Sequence, residues 1–393
     1  MNEAPRFVPF AYGFRPFFLA AGVFAVVAIA AWAWMFASGG APLGALPGFL
    51  WHGHEMLFGF IGAAIAGFLL TAVPSWTGSR GFAGAPLVIL TLLWLAGRIA
   101  FALAGALPPL AIAIAELAFL PMLAFMIGRS LLRERNRNFP MLIIIAVLWG
   151  IDAWFLYAAT TGDHLLASRA LRAGIGLVLL LVTVIGGRIV PNFTASALRR
   201  RGLAVEIRNR AVVERVTIGS MVFAVLVDAV APAHWLAPAV AGIAAMAHAV
   251  RLSGWKSLRT LSEPIVWVLH AAYAWLPVGL ALKAVYLATG APWAFQWQHA
   301  LTIGTAATMI LAVTTRAALG HTGRALEVSR GIGVAYVLLL LAAFVRVFGP
   351  TLMPADYLAT IEAAALLWIA AFAIYTAIYA PILTRPRLDR KPG

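Results

Sequence analysis

The 393-residue chain contains no cysteine and few charged residues. Without thiolates it cannot form disulfides, iron–sulfur clusters or cysteine-ligated metal sites, so any metal must be held by histidine, carboxylate or methionine. Charged residues make up only 11% of the sequence, against about a quarter in an ordinary soluble domain. Hydrophobic residues make up 63% and the mean hydropathy is +0.93. This composition excludes an ordinary water-soluble protein.

Apolar runs of about 20 residues recur from one end of the chain to the other, and each can cross the ~30 Å hydrocarbon core of a bilayer. They predict an all-α polytopic membrane protein with about twelve transmembrane helices. No hydrophilic insert is large enough to fold alone, so residues 1–393 are expected to form a single integral-membrane domain. The predicted spans are Phe17–Ala37, Glu55–Pro74, Pro86–Ala104, Leu107–Ile127, Pro140–Thr161, Ala170–Val190, Val212–Ala231, Trp235–Val250, Pro264–Thr289, His299–Leu319, Ile332–Phe348 and Tyr357–Leu383.

Lysine and arginine are distributed unevenly between the connections. Of the 29 basic residues, 24 fall in the termini and in alternate connections, whereas five of the intervening connections carry none. Because cytoplasmic connections are enriched in Lys and Arg, this alternation places both the N- and the C-terminus in the cytoplasm. We therefore attribute the net charge of +15 to the basic residues that set the orientation of the chain in a lipid bilayer. The basic stretch Arg199–Arg215 lacks interleaved aromatic residues, so it predicts contact with lipid headgroups and no nucleic-acid partner.

The predicted orientation sorts six of the eight histidines into two clusters. Three of them open spans two and ten near the external face: His52, His54 and His299. Three others lie near the cytoplasmic face: His248, His270 and His321. His299 and His321 are 22 residues apart, which separates them by ~33 Å along a helix and excludes a shared metal. His52 and His54 would lie about 200° apart on a helix, so they can share a metal only if Trp51–His54 is not helical.

Spans two and ten share a weak internal repeat. A glycine follows His54 and His299 at the same offset, and a Thr-Gly pair follows each at the same larger offset. The matched residues are Gly59 with Trp76-Thr77-Gly78, and Gly304 with His321-Thr322-Gly323. Span six ends in a similar helix-ending segment, Gly186–Thr194, four spans from each. This four-span periodicity resembles the pseudo-threefold core of heme-copper oxidases, whose catalytic segments are absent here, so the resemblance concerns architecture alone.

A closer resemblance lies in a series of short motifs. In chain order they are YGFRPFF from Tyr12, WHGHEMLFG from Trp51, GFLLTAVP from Gly67 with WTG from Trp76, GGR from Gly186, and GHTGR from Gly320. The motifs and their order resemble the NnrS family, from the N-terminus through span ten. The resemblance implies a multi-pass protein of the bacterial inner (cytoplasmic) membrane with bound heme and copper. It further implies a link to nitric oxide and nitrosative stress.

With heme and copper implied, the shared depth and the repeat lead us to expect a heme, of b-type, held axially by His54 and His299 near the outer face. His52 is the alternative heme ligand or a copper ligand. Glu55 is expected either to orient an imidazole or to be a carboxylate favoured by the dipole at a helix N-terminus.

At the inner face we expect a second metal centre, heme or copper, on His270 and His321, with His248 as a further candidate ligand. The alternative is that His321 caps span ten while His270 hydrogen-bonds a neighbouring helix. Heme iron needs one or two neutral imidazoles, and copper without thiolates is suited by two or three.

Several buried or motif-borne charges have predicted roles. Arg188 and Arg324 are expected to neutralise heme propionates, and Arg15 is a further candidate for such a contact. The alternative for each arginine is a charge that only sets membrane orientation. Two intramembrane ion pairs are also expected, namely Arg98–Glu116 and Asp228–Lys283.

Two classes of function follow from these features. The first is a heme- and copper-binding protein that binds nitric oxide or consumes it reductively, as a nitric oxide reductase-like oxidoreductase with an unidentified electron donor. Nitric oxide is small, neutral and lipid-soluble, so its site needs no polar channel. The second is a transporter or channel, for which twelve spans, many glycines and intramembrane charges would also serve.

Overall fold

The computed structural model describes residues 7–39, 46–203, 206–207 and 210–389. Every regular element within these ranges is helical, which confirms the all-α prediction. Twelve long helices follow one another in the described chain: α1 Phe14–Ser38, α2 Gly48–Thr77, α3 Ala85–Ala102, α4 Pro109–Arg133, α5 Pro140–Thr160, α6 His164–Arg200, α7 Ala211–Val230, α8 Ala237–Ser253, α9 Pro264–Thr289, α10 Pro292–His321, α11 Arg330–Leu352 and α12 Tyr357–Thr384.

Ten of these helices are long and apolar enough to cross a membrane, and the protein is therefore a polytopic membrane protein. The remaining two are α7, which carries charged residues at both ends, and α8, which is apolar but only 17 residues long. Both coincide with predicted spans, so each of the twelve predicted spans corresponds to a helix. The orientation of the termini and the pseudo-threefold arrangement stay predictions.

Helix α6 is longer than predicted, and the prediction that it ends at Gly186–Thr194 is wrong. The helix runs without interruption to Arg200 and includes Pro191. Proline is tolerated inside transmembrane helices because neighbouring groups satisfy the backbone that it frees. Gly187 serves close packing instead of termination, since a Cβ there would overlap the guanidinium group of Arg251.

Helices α2 and α10 share an unusual local geometry that follows the predicted repeat. In α2 a π-helical segment, Glu55–Ile61, begins directly after His54. In α10 a second π-helical segment, Ala300–Ala307, begins directly after His299. Segments of this kind are rare and frequently occur at functional sites.

The repeat extends to the other ends of the same two helices. Gly78 and Gly323 both adopt positive φ angles, of 67° and 71°, where a side chain would be strained. The preceding threonines also match, since Thr77 Oγ1 donates to the Val73 carbonyl at 2.8 Å and Thr322 Oγ1 donates to the Ala318 carbonyl at 2.6 Å. The sequence repeat is thus accompanied by a repeat of local structure.

The chain divides into two compact units, with boundaries inside α6, α10 and α12 and one in the connection between α10 and α11. Unit 1 comprises Met1–Gly174, Ala317–Ala325 and Phe372–Gly393, and unit 2 comprises Ile175–Arg316 and Leu326–Ala371. In unit 1, α1 packs on α2, and α3 packs on α4; in unit 2, α8 packs between α7 and α9. Among the described residues, each unit contains a cluster of ionisable side chains around a buried histidine.

Candidate metal centres

Unit 1 holds a buried group of five ionisable residues, which we call the carboxylate–histidine cluster: His54, Glu55, Arg98, Glu116 and Asp152. They come from α2, α3, α4 and α5, and each is at most 7% exposed. His54 Nε2 lies 3.0 Å from Asp152 Oδ1 and 3.7 Å from Glu116 Oε1, while His54 Nδ1 lies 3.1 Å from Glu55 Oε1. Both ring nitrogens of His54 therefore contact carboxylates.

Arg98 holds two carboxylates of the cluster together. Its Nη1 donates to Glu55 Oε1 at 2.5 Å, and its Nη2 donates to Glu116 Oε1. The predicted ion pair between Arg98 and Glu116 is confirmed. Gly97 makes room for this arrangement, because a Cβ there would lie 2.5 Å from Glu116 Oε2.

Aromatic rings enclose His54 on several sides. The ring of Phe101 stacks on the imidazole with a centroid distance of 3.9 Å, and the rings of Phe155 and Phe58 lie at 4.7 and 4.9 Å. The neighbouring Trp94 Nε1 donates to the Gly59 carbonyl at 3.0 Å, which ties the π-helical segment of α2 to α3. These rings exclude water, so electrostatic interactions within the cluster are strong.

The charges of the cluster do not balance. Three carboxylates face one guanidinium group, which leaves two negative charges in excess when His54 is neutral. Uncompensated charge inside a membrane protein is costly, so the excess calls for one divalent cation or two protons.

The donor atoms suit a metal ion. Among the residues that the structure describes, one group of three or more metal-binding side chains is found, formed by His54, Glu116 and Asp152, whose ligand atoms all lie within 4.8 Å of one another. Glu116 Oε2 is buried and accepts no hydrogen bond within the described part of the chain. One imidazole nitrogen with two carboxylate oxygens is a donor set that Cu(II) accepts. The cluster therefore fits a copper ion.

The same geometry does not fit a heme on His54. Axial ligation needs a ring nitrogen that has no other partner. Here both nitrogens lie against carboxylates, and aromatic rings cover the imidazole. The expected heme between His54 and His299 stays a prediction, and His299 itself is half-buried at the start of the π-helical segment of α10.

Two alternatives for residues next to His54 are now decided. Gly48–His54 is an α-helix, so the condition under which His52 and His54 would share a metal is not met. The half-buried His52 instead packs on Trp32, with ring centroids 4.7 Å apart. Glu55 lies inside α2 and contacts the imidazole of His54. The interpretation of Glu55 as a carboxylate at a helix N-terminus is therefore wrong, and its contact is that of an orienting partner.

Unit 2 contains a second buried arrangement, which we call the His248 chain: His248, Tyr273, Arg251 and Glu214. His248 Nδ1 lies 2.7 Å from Tyr273 Oη, and Arg251 Nη1 donates to the same oxygen at 3.0 Å. Arg251 Nε donates to Glu214 Oε1 at 2.8 Å, and its Nη2 donates to Glu214 Oε2. His248 is 0% exposed, and its Nε2 has no hydrogen-bond partner among the described residues.

His270 and His321 are held differently from His248. His270 Nε2 lies 2.8 Å from Thr194 Oγ1 and its Nδ1 lies 2.9 Å from Ser257 Oγ, so both nitrogens are bonded to hydroxyl groups. This hydrogen bond to α6 is the alternative that the sequence left open. His321 belongs to unit 1, where it packs against the rings of Tyr12 and Phe14. A shared inner centre of these histidines stays a prediction.

The predicted anion-binding arginines differ in their surroundings. Arg15 is fully buried, and its Nη1 donates to the carbonyls of Leu383 and Arg385 at 3.0 and 2.7 Å, where α12 ends. Arg324 is half-buried, and burial together with the nearby charge of Arg385 lowers the pKa of its guanidinium group. Arg188 is exposed on α6. Their contact with heme propionates stays a prediction.

Some residues of both centres were not singled out from the sequence. Asp152 is a lone carboxylate within a predicted span, and the rule that selected Glu116 would also have selected it. Arg251 was counted only among the charges that set orientation, and Tyr273 carries no sequence signal that separates it from other tyrosines. The other predicted ion pair, Asp228–Lys283, is confirmed in unit 2.

The chain was also compared with known proteins. A family model described as NnrS protein matches residues 8–387, which includes both centres. Comparison with curated proteins yields no match. Because the matched region covers nearly the whole chain and contains every motif named above, the chain belongs to the NnrS family.

Proposed function

We propose that this chain is a heme- and copper-binding protein of the bacterial inner membrane that binds nitric oxide or consumes it reductively, and so protects against nitrosative stress. Membership of the NnrS family supports the link to nitric oxide. The single structural observation that carries the proposal is the buried donor set of His54, Glu116 and Asp152.

The cluster supplies what a copper site inside a membrane needs. His54, Glu116 and Asp152 would hold the ion, and their excess negative charge would be neutralised by it. Glu55 orients the imidazole, and Arg98 keeps Glu55 and Glu116 in place. When bound, copper supplies a Lewis-acidic, redox-active centre for a small ligand. The surrounding phenylalanines exclude water and admit a neutral, lipid-soluble molecule such as nitric oxide.

Reductive consumption makes demands beyond this site. Joining two nitric oxide molecules with loss of one oxygen atom requires two electrons and two protons, and yields nitrous oxide and water. The electrons must come from a donor outside this chain. Turnover with such a donor would make the protein a nitric oxide reductase-like oxidoreductase, whereas binding alone would make it a nitric oxide-binding protein.

Metal analysis of the purified full-length protein tests the proposal. We expect both copper and a heme Soret band, with nitric oxide changing the optical spectrum. Asp152→Asn keeps the shape of the side chain but removes a charged donor, so copper content should fall at least tenfold while the heme band stays. Asp228→Asn is the matched control, because it removes a carboxylate from the other predicted ion pair, which is partly buried. Wild-type copper content in both Asp152→Asn and His54→Ala would overturn the copper assignment.

The second candidate is a transporter or channel. The observation that favours it is the same charge imbalance, since two protons on the cluster would balance the charge as well as a metal does. A purified protein that is colourless and metal-free, and that carries protons across the membrane of liposomes, would establish this alternative. Copper bound at one equivalent per chain would exclude proton transport as the function of the carboxylate–histidine cluster.

A further inference from the structure

We propose that His248 Nε2 is the protein ligand of the heme iron, and that Tyr273, Arg251 and Glu214 are positioning residues that orient its imidazole. The inference rests on the proposed function, because it assumes that the chain binds heme. It assigns the heme to unit 2 and the copper to unit 1.

One ring nitrogen of His248 is available to bind a metal ion. A buried polar atom without a partner destabilises a protein, so each one calls for an explanation such as a bound ion or cofactor. His248 is 0% exposed, and its Nε2 has no partner among the described residues. His54 and His270, in contrast, have partners on both ring nitrogens. A metal ion on Nε2 would satisfy the His248 ring.

The other ring nitrogen of His248 contacts the hydroxyl of Tyr273. A metal-bound imidazole offers the lone pair of one nitrogen and donates the N–H of the other to a fixed acceptor. In His248 the second nitrogen, Nδ1, lies 2.7 Å from Tyr273 Oη. Ligation through Nε2 thus requires the tautomer in which Nδ1–H donates to Tyr273, and the acceptor for it is already in place.

The number of protein donors that a metal ion requires distinguishes heme iron from copper. Heme iron is commonly held by a single histidine, whereas a copper ion without thiolates takes several donors. The described residues contain one group of three metal-binding side chains, and it lies in unit 1 around His54. His248, a single histidine with one ring nitrogen that lacks a hydrogen-bond partner among the described residues, therefore suits heme iron better than copper.

The hydroxyl of Tyr273 is itself fixed by a rigid support. Arg251 donates to Tyr273 Oη and, through the same Nη1, to the Thr183 carbonyl at 2.7 Å, while Glu214 accepts from its other nitrogens. The Trp255 ring lies 5.5 Å from the Arg251 guanidinium carbon, and the missing side chain of Gly187 leaves room for that group. Four helices, α6 to α9, thus set the direction in which His248 Nε2 points.

The first experiment measures heme in the full-length protein purified from heme-supplied cells. His248→Ala should lose about one equivalent of heme per chain and keep its copper. In His248→Gly, added imidazole should restore heme binding, because the free base replaces the missing ligand. His248→Ala that retains wild-type heme content and spectrum would overturn the assignment while leaving the proposed function intact. Absence of heme from the wild-type protein would instead overturn the heme part of the proposed function.

The second experiment isolates the positioning role. Tyr273→Phe keeps the ring but removes the acceptor for Nδ1–H, so the imidazole becomes a weaker donor to iron. Heme content should stay, while the iron–histidine stretching frequency falls and the heme midpoint potential rises. Tyr336→Phe is the matched control, since Tyr336 is equally buried and its hydroxyl bonds to Thr315 at 2.6 Å. Equal spectra and potentials for the two variants would refute the role of Tyr273, including in the case where His248→Ala fails to fold.

Discussion

The two buried centres hold their histidines in opposite ways. In the carboxylate–histidine cluster of unit 1, both ring nitrogens of His54 contact carboxylates, and negative charge is in excess. In the His248 chain of unit 2, Nδ1 of His248 contacts a hydroxyl group and Nε2 has no hydrogen-bond partner among the described residues. The charges of Arg251 and Glu214 in this chain cancel. The first arrangement suits a cation held by several charged donors. The second suits a cofactor that brings its own ligands and needs one neutral nitrogen from the protein.

The two centres also differ in their distance from water. All five residues of the cluster are buried, and aromatic rings surround the imidazole. The His248 chain begins at a fully buried histidine but ends at Glu214, whose side chain is 27% exposed. We therefore expect substitutions in the cluster to cost more stability than substitutions at the outer end of the His248 chain.

The largest effect is expected for Arg98→Ala. This change removes the single positive side chain that contacts Glu55 and Glu116, and breaking a buried ion pair typically costs about 3–5 kcal/mol. Thermal denaturation in detergent measures the loss. Arg200→Ala is the control, because its pair with Glu263 is partly exposed and should contribute less than about 1 kcal/mol. Similar losses for the two variants would show that the cluster is not the charged core that we describe.

A smaller effect, confined to unit 1, is expected for Gly59→Ala. A Cβ at this position would overlap the Phe24 ring and lie 3.0 Å from Arg98 Nη1, so the π-helical segment or Arg98 must move, at a cost of about 1–3 kcal/mol. Copper content should fall while the heme spectrum stays unchanged. Gly62→Ala is the control, since its Cβ meets nothing closer than 3.8 Å. A changed heme spectrum with full copper would reverse our assignment of the two centres.

For Gly187→Ala in unit 2 we expect a change at the heme and none at the copper. The new Cβ displaces the Arg251 guanidinium group, which is the end of a flexible side chain, so the cost in stability should be only about 1 kcal/mol. The hydrogen bond from Arg251 to Tyr273 is lost, and the heme midpoint potential should shift while copper content stays. Gly186→Ala is the control, because the atom nearest to its new Cβ lies at 3.7 Å. The heme midpoint potential and the copper content of this variant should both match the wild type. Equal heme midpoint potentials in the two variants would argue against a role for the hydrogen bond from Arg251 to Tyr273.

The sequence predicts the helices and the charged pairs better than it predicts the centres. Apolar runs locate the twelve helices, ten of which are long and apolar enough to cross a membrane. The cost of an unpaired charge in a membrane correctly predicts the partners of Arg98 and Lys283. These features depend on general physical limits that hold for any membrane helix.

The composition of each centre depends on which helix faces are brought together, and one sequence does not contain that information directly. Depth in the membrane groups His248 with His270, yet their hydrogen-bond partners differ completely. The sequence predicts that Gly187 is part of a helix end, whereas in the structure it accommodates a side chain from α8. Single residues of this kind acquire their meaning only from tertiary contacts.

The π-helical segments of α2 and α10 determine the direction in which the preceding histidine side chains point. A segment with i→i+5 hydrogen bonds accommodates an additional residue in the turn, compared with an α-helix. Straightening Glu55–Ile61 into an α-helix without changing its length would rotate His54 by ~100° about the helix axis relative to the following part of α2. The imidazole would then leave Asp152 and turn towards another face. A single-codon deletion within the segment would instead remove the additional residue and keep His54 on its present face, so the metal ligand should tolerate a deletion here better than an insertion, and the same holds for His299 at the head of α10.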